Sequence, residues 1–207
     1  MDYIDITLPL SEMTPAFPGD PEVRFEPIVR DGYRLTLIEL SSHSGTHIDA
    51  PLHYIEGSRS VDMIPLGRIN GESIIVDMKD VRHPSGFIMK GDIPEKTGVA
   101  GILILKTGFS PESSGMDHYM SINSECAEYL ADCGYTCVVT DAPSIEAFDG
   151  DGTVHRTLLG RDVYIIEMAD LSNVSPGRYR LYAMPLKLEG CDGSPVRAVL
   201  VPCSKEV

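Results

Sequence analysis

Along the chain, apolar residues recur at alternate positions or in short unbroken runs far more often than at helical spacing. Residues 3–7, 22–28 and 34–41 alternate in part, which predicts strands. The runs 73–78, 101–106, 137–141, 163–168, 180–185 and 196–201 follow, several of them rich in β-branched residues, and predict further strands. One segment breaks the pattern. Between 121 and 134, Ile122, Cys126, Tyr129, Leu130 and Cys133 fall at helical spacing, with Ser121 or Asn123 available to cap the start and Gly134 to close the end. A helix lying between strands 101–106 and 137–141 predicts a right-handed βαβ crossover. Turn residues mark the loops around 17–22 and 141–152. The expectation is a mixed α/β fold dominated by sheet, with the strand order left open.

Composition narrows the class. A chain of 207 residues with no internal repeat, low-complexity tract or linker predicts one domain over 1–207. With 43% hydrophobic and 23% charged residues it reads as soluble and globular. A net charge of −14 argues against nucleic-acid phosphates and anionic membrane surfaces as partners. Solubility accounts for most of that charge, although a carboxylate site is less acidic once it holds dications. The five cysteines, Cys126, Cys133, Cys137, Cys191 and Cys203, show no CxxC spacing and read as reduced thiols of a cytoplasmic protein. The first ten residues carry no basic segment followed by an apolar one, and no apolar run is long enough to span a bilayer.

Half of the six histidines lie within eleven residues, where His43, His47, Asp49 and His53 stand in SHSGTHIDAPLHY, 42–54. Imidazole nitrogens and carboxylate oxygens are the donors that divalent transition metals take. All four residues share odd parity, but a straight strand from 43 to 49 would spread them over ~20 Å, too far for one ion. The chain must therefore coil. Gly45 permits it, and Pro51 can turn the chain so that His53 returns over the site. A helix through the segment is disfavoured by the same two residues.

Further donors must come from elsewhere. Glu167 lies inside the apolar run 163–168, where a carboxylate has to be paired, protonated or bound to metal, unless it faces outward or meets an arginine. His155 lies twelve residues earlier, at the start of a possible short helix. His83 and His118 have polar, turn-like surroundings and read as surface residues. The DGDG turn, 149–152, lacks the later ligands of a calcium loop and reads as a solvated turn. Ser194 reads as a strand entry, and Arg197 either pairs with a buried carboxylate or meets a substrate carboxylate.

The stretch HSGTHIDAPLH, 43–53, resembles the HxGTHxDxPxH signature of the cyclase family of metal-dependent hydrolases, whose best-known bacterial branch is kynurenine formamidase. FPGD (17–20), DAPS (141–144), the His155–Glu167 spacing and DGSPVRAV (192–199) extend the resemblance across nearly the whole chain. It implies a swivelling β/β/α fold and a homodimer or larger assembly. It also implies one metal on His43, His47 and Asp49, and a second on Asp49 and His155, with Glu167 touching both. His53 is then the general acid/base. Two zinc ions are implied, manganese being the metal of the isatin hydrolase branch. The formamidase branch has WPGD where this chain has Phe17-Pro-Gly-Asp, so Phe17 is left to stack on the substrate, and the chain contains no tryptophan.

The implied reaction is hydrolysis of an amide, most simply an aryl formamide such as N-formyl-L-kynurenine, an intermediate of tryptophan catabolism. A metal-activated water would attack and His53 would shuttle the proton. Hydrolysis of a cyclic amide such as isatin uses the same parts. A metal-dependent cyclase or lyase acting on a carbonyl compound is a different class that the residue types also allow. A non-catalytic metal-binding scaffold would have no use for His53.

Overall fold

The computed structural model describes residues 3–81, 83, 85–94, 100–110 and 115–203. Among them the strands are β1 (Ile4–Asp5), β2 (Arg24–Arg30), β3 (Tyr33–Glu39), β4 (His47–Asp49), β5 (Gly71–Asp77), β6 (Phe87–Ile88), β7 (Ile102–Lys106), β8 (Ser121–Ile122), β9 (Cys137–Thr140), β10 (Tyr164–Glu167), β11 (Gly177–Pro185) and β12 (Gly193–Pro202). The helices are α1 (Leu66–Ile69), α2 (Ser124–Asp132) and α3 (Thr153–Gly160).

Seven strands close into a barrel in the order β12-β11-β5-β7-β9-β10-β4, with β4 pairing back onto β12. The run β5-β7-β9-β10 is parallel, whereas β4, β11 and β12 join it antiparallel. Strand β12 shares its second edge between β4, along 193–195, and β1, at Val199 and Leu200.

Alternation sorts the strand residues into two cores. Ile48, Ile75, Ile104, Val139, Ile166, Leu181 and Ala198, one from each barrel strand, pack together inside. Leu103, Leu105, Val138 and Ile165 point outward and meet Cys126, Leu130, Val154 and Leu158 of α2 and α3. Strands buried on both faces explain why their sequences are continuous apolar runs.

Helix α2 bridges the parallel neighbours β7 and β9, as the periodicity predicts. Its cap is Asn123, whose side chain accepts from the Cys126 N–H at 2.9 Å; Ser121 is instead buried in β8, and Gly134, at φ +74°, follows the end. Strand β4 is the element that the sequence hides, because HID is only three residues long and sets a single apolar residue between two polar ones.

Strands β2 and β3 form a hairpin across the Asp31-Gly32 turn, with Arg30 opposite Tyr33. Every residue of β3 is exposed, so the alternation read from the sequence has no core of this chain to face.

Candidate active site

The signature segment coils as Gly45 allows: this residue adopts φ +61°, and a Cβ there would lie 2.8 Å from Leu10 Cδ2. After the turn, β4 is inserted between β10 and β12, with Asp49 opposite both Ile165 and Gly193 and His47 opposite both Glu167 and Pro195. Positions 47 and 49 share a face by alternation, and Glu167 shares it through its direct pairing with His47. Ile48 and Ile166 point the other way, into the barrel. The polar cluster therefore lies on the outer barrel wall, on the side covered by α3.

Helix α3 supplies His155 from its first turn. The DGDG loop that leads into it is not simply solvated. Gly152 is buried at φ +82°, where a side chain would meet Tyr54 and Arg156, and its N–H donates to Glu146 Oε1 at 2.8 Å. Pro51 begins a single turn of 3-10 helix that brings His53 back beside His43, the two rings stacking at 3.9 Å between centroids.

Asp49 is the centre. It is fully buried, and neither of its oxygens accepts a hydrogen bond. Three imidazole nitrogens surround it instead. His43 Nδ1 lies 3.0 Å and His47 Nε2 3.5 Å from Oδ1, while His155 Nε2 lies 3.7 Å from Oδ2. Glu167 completes the ring, 3.5 Å from His47 Nε2 through Oε2 and 3.4 Å from His155 Nε2 through Oε1. The donor atoms of His43, His47 and Asp49 all lie within 4.8 Å of one another, as do those of Asp49, His155 and Glu167. A buried carboxylate without hydrogen bonds is costly. Cations placed between its two oxygens and the flanking imidazoles would remove that cost, so the donor set fits divalent metal.

Each histidine is held by its other nitrogen. His47 Nδ1 is 2.8 Å from the Gly45 carbonyl, His155 Nδ1 is 2.8 Å from Glu146 Oε2, and His43 Nε2 is 2.9 Å from Asp192 Oδ2. These acceptors fix a proton on the contacting nitrogen, so the inward nitrogen is the one that would give up its proton to bind a metal. Burial pulls the pKa of all three down, but the facing carboxylates outweigh it, raising His43 to about 9 and His47 and His155 to about 10. His53 differs: burial dominates and holds its pKa below the ordinary value.

The structure thus brings together His43, His47, Asp49, His53, His155 and Glu167, which the sequence places in three separate segments. Phe17 lines the same cavity, of about 380 Å³, and packs on Phe148 with ring centroids 5.5 Å apart. Asp192, Glu146 and Tyr54, whose ring stacks on His155 at 4.3 Å, are missing from the ligand sets read from the sequence. Asp192 lies in the quoted DGSPVRAV segment; nothing in the local sequence marks Glu146.

Other expectations resolve away from the site. Arg197 pairs with Asp5 at the surface, so neither a buried carboxylate nor a substrate is its partner. The Ser194 hydroxyl is buried and donates to the Pro195 carbonyl. His83 and His118 meet Asp92 and Asp117 outside the site.

Comparison with known proteins agrees with this geometry. The family model described as "Putative cyclase" matches residues 4–147. The chain is 36% identical to a kynurenine formamidase of Salinibacter ruber, covering 97% of each chain. It is 34% identical to a kynurenine formamidase of Erythrobacter litoralis, covering 95% of this chain and 92% of that one. A solved structure described as a "predicted metal-dependent hydrolase from Bacillus stearothermophilus" superimposes with a TM-score of 0.83 at 32% identity, covering 96% of this chain and 97% of that one. An isatin hydrolase bound to a product analogue shares the fold, with a TM-score of 0.82 at 21% identity over 98% of this chain and 93% of that one. With its signature residues gathered on the outer wall of a seven-stranded barrel, the chain belongs to the cyclase family of metal-dependent hydrolases.

Proposed function

We propose that the protein hydrolyses an aryl formamide, with N-formyl-L-kynurenine as the first candidate. The observation that carries this reading is the buried Asp49 carboxylate, which presents one oxygen to His43 and His47 and the other to His155. In this reading His43, His47 and Asp49 would hold one divalent ion, and Asp49, His155 and Glu167 would hold a second. Nitrogen and oxygen donors in this number suit Zn²⁺, with Mn²⁺ as the alternative. When bound, such ions supply hydroxide at neutral pH and polarise a carbonyl.

The chain's own residues do the rest. His53 takes the proton released as the formyl carbon is attacked and returns it to the departing aryl amine, for which its lowered pKa keeps it neutral and ready as a base. Phe17, backed by Phe148, packs against the aryl ring. The smaller Phe17 in place of a tryptophan favours a second reading, hydrolysis of a compact cyclic amide of the isatin type. A cyclase or lyase reaction is separated from both by ¹⁸O-labelled water, since hydrolysis alone puts the label into the new carboxylate.

The whole chain, 1–207, acts as one domain, a reading supported by a barrel whose strands run from His47 to Pro202. It works as a homodimer or larger homo-oligomer, because Val29, Tyr33, Leu35, Leu37 and Ile38 of the β2–β3 hairpin are left exposed. It works in the cytoplasm, a reading supported by five cysteines that form no disulfide. Among the described residues no helix is long and apolar enough to cross a membrane.

The test is turnover of N-formyl-L-kynurenine and isatin in parallel by protein purified without a histidine tag, with the metal content measured. Two metals per chain and formamide hydrolysis that falls by ~10²–10⁴ in His53→Ala, with metal retained, are expected. One metal per chain, or unchanged turnover in that variant, overturns the assignment.

A further inference from the structure

The DGSP segment, left without a role by the sequence, converges on the site. Asp192 Oδ2 lies 2.9 Å from His43 Nε2 and 3.2 Å from His53 Nδ1, so one carboxylate oxygen faces both stacked imidazoles. The carboxylate is itself fixed. Ser42 Oγ donates to its Oδ1 at 2.8 Å, and its backbone carbonyl accepts from the Ala50 N–H at 2.9 Å. Gly193 is equally specific. A Cβ there would lie 2.8 Å from His43 Cε1 and 2.9 Å from the Ile48 carbonyl, so any side chain would push the His43 ring out of place.

We infer that Asp192 is a positioning residue that sets the tautomer and orientation of His53 and His43 together, with Gly193 leaving room for the second ring. The reasoning is one of donor and acceptor. An ionised carboxylate only accepts, so each contacting nitrogen carries its proton. His53 is then protonated on Nδ1 and keeps Nε2 as the basic nitrogen, while His43 keeps Nδ1 towards Asp49. Proton shuttle and metal ligand are thereby locked to each other, and neither can rotate without losing the same oxygen. The link to catalysis rests on the function proposed above; the link to the ring geometry does not.

The experiment compares Asp192→Asn, His53→Ala and the double variant on an aryl formamide at saturating Zn²⁺. It also records ¹⁵N imidazole spectra of the metal-free proteins and Zn²⁺ affinity by competition with a chromogenic chelator. Asp192→Asn is expected to lower kcat by ~10–100-fold with KM unchanged within about twofold, and to weaken Zn²⁺ binding by a similar factor. The His53 proton is expected on Nδ1 in the parent chain and partly on Nε2 in the variant. Because Asp192 acts through His53, the double variant should turn over no more slowly than His53→Ala by more than about twofold. Gly193→Ala should weaken Zn²⁺ binding with the His53 tautomer kept.

An unchanged His53 tautomer in Asp192→Asn, or multiplicative losses in the double variant, overturns the inference. If Asp192→Asn does not fold, Ser42→Ala decides: a shift of the His53 nitrogen signals supports the role, and identical signals refute it. If no amide is turned over at all, the proposed reaction fails while the spectra and the Zn²⁺ affinities still judge the positioning.

Discussion

Glu146 touches neither proposed metal directly, yet three donors converge on it: the Gly152 N–H at 2.8 Å, the His155 N–H at 3.2 Å and His155 Nδ1 at 2.8 Å. It is buried, and these donors hold its pKa below the ordinary value against the opposing effect of burial. In Glu146→Gln the side chain keeps its shape, but whichever way the amide turns, its NH₂ meets a donor. The lower-cost orientation gives the oxygen to His155 and leaves Gly152 opposed. His155 is then held more loosely, and loss of such an outer partner weakens metal binding by ~10–100-fold, or about 1.4–2.8 kcal/mol. The effect should be confined to one ion, because Glu146 does not contact His43 or His47. Glu146→Ala is harsher. It strands three buried donors at about 1–3 kcal/mol each, so a total of about 3 kcal/mol is the least expected, and Tm should fall by about 6–12 °C or more. Calorimetric titration with Zn²⁺ is the assay. One of two binding steps should weaken in Glu146→Gln while the other stays. Equal weakening of both, or of neither, would refute the separation of the site into two halves that share Asp49.

Four further outcomes follow from the same geometry. Gly45→Ala forces a side chain into left-handed backbone against Leu10, costing about 1–2 kcal/mol, which a thermal melt should record as a fall of about 2–8 °C. In chelator, His47 and His155 have folded-state pKa values near 10, above the unfolded value of 6.5; the stability they add is whole below about pH 6.5 and lost as pH rises through about 10. Melts in EDTA should therefore show Tm falling over that range, whereas protection by added Zn²⁺ grows with pH as the ligands shed protons; a flat EDTA series would count against the cluster. Phe17→Ala should lower kcat/KM for an aryl formamide about tenfold or more and leave metal content unchanged, as steady-state kinetics and metal analysis would record. The double substitution Leu37→Glu with Ile38→Glu should shift the protein to a smaller species in analytical ultracentrifugation without changing its melt; an unaltered sedimentation profile removes the hairpin as the contact between copies.

Which residues gather at the candidate site was legible from spacing and kind. Three histidines and an aspartate around Gly45 and Pro51 announce a coiled donor loop, because those two residues exclude the helix and the straight strand. Glu167 stands out because a carboxylate in an apolar run demands a partner. Strand β7, strand β9 and helix α2 were equally readable, since local periodicity encodes them. What the sequence could not hold is adjacency. That β4 is a strand at all follows from its being wedged between β10 and β12, since one isoleucine between two polar residues is too short a pattern to mark a strand. Closure of the barrel sets Glu167 opposite His47 and draws Gly193 beside Asp49 from 144 residues away. Asp192 and Glu146 take their meaning only from that closure: a carboxylate's role depends on which donors face it in space, and residues so distant in the chain meet only when the fold brings them together.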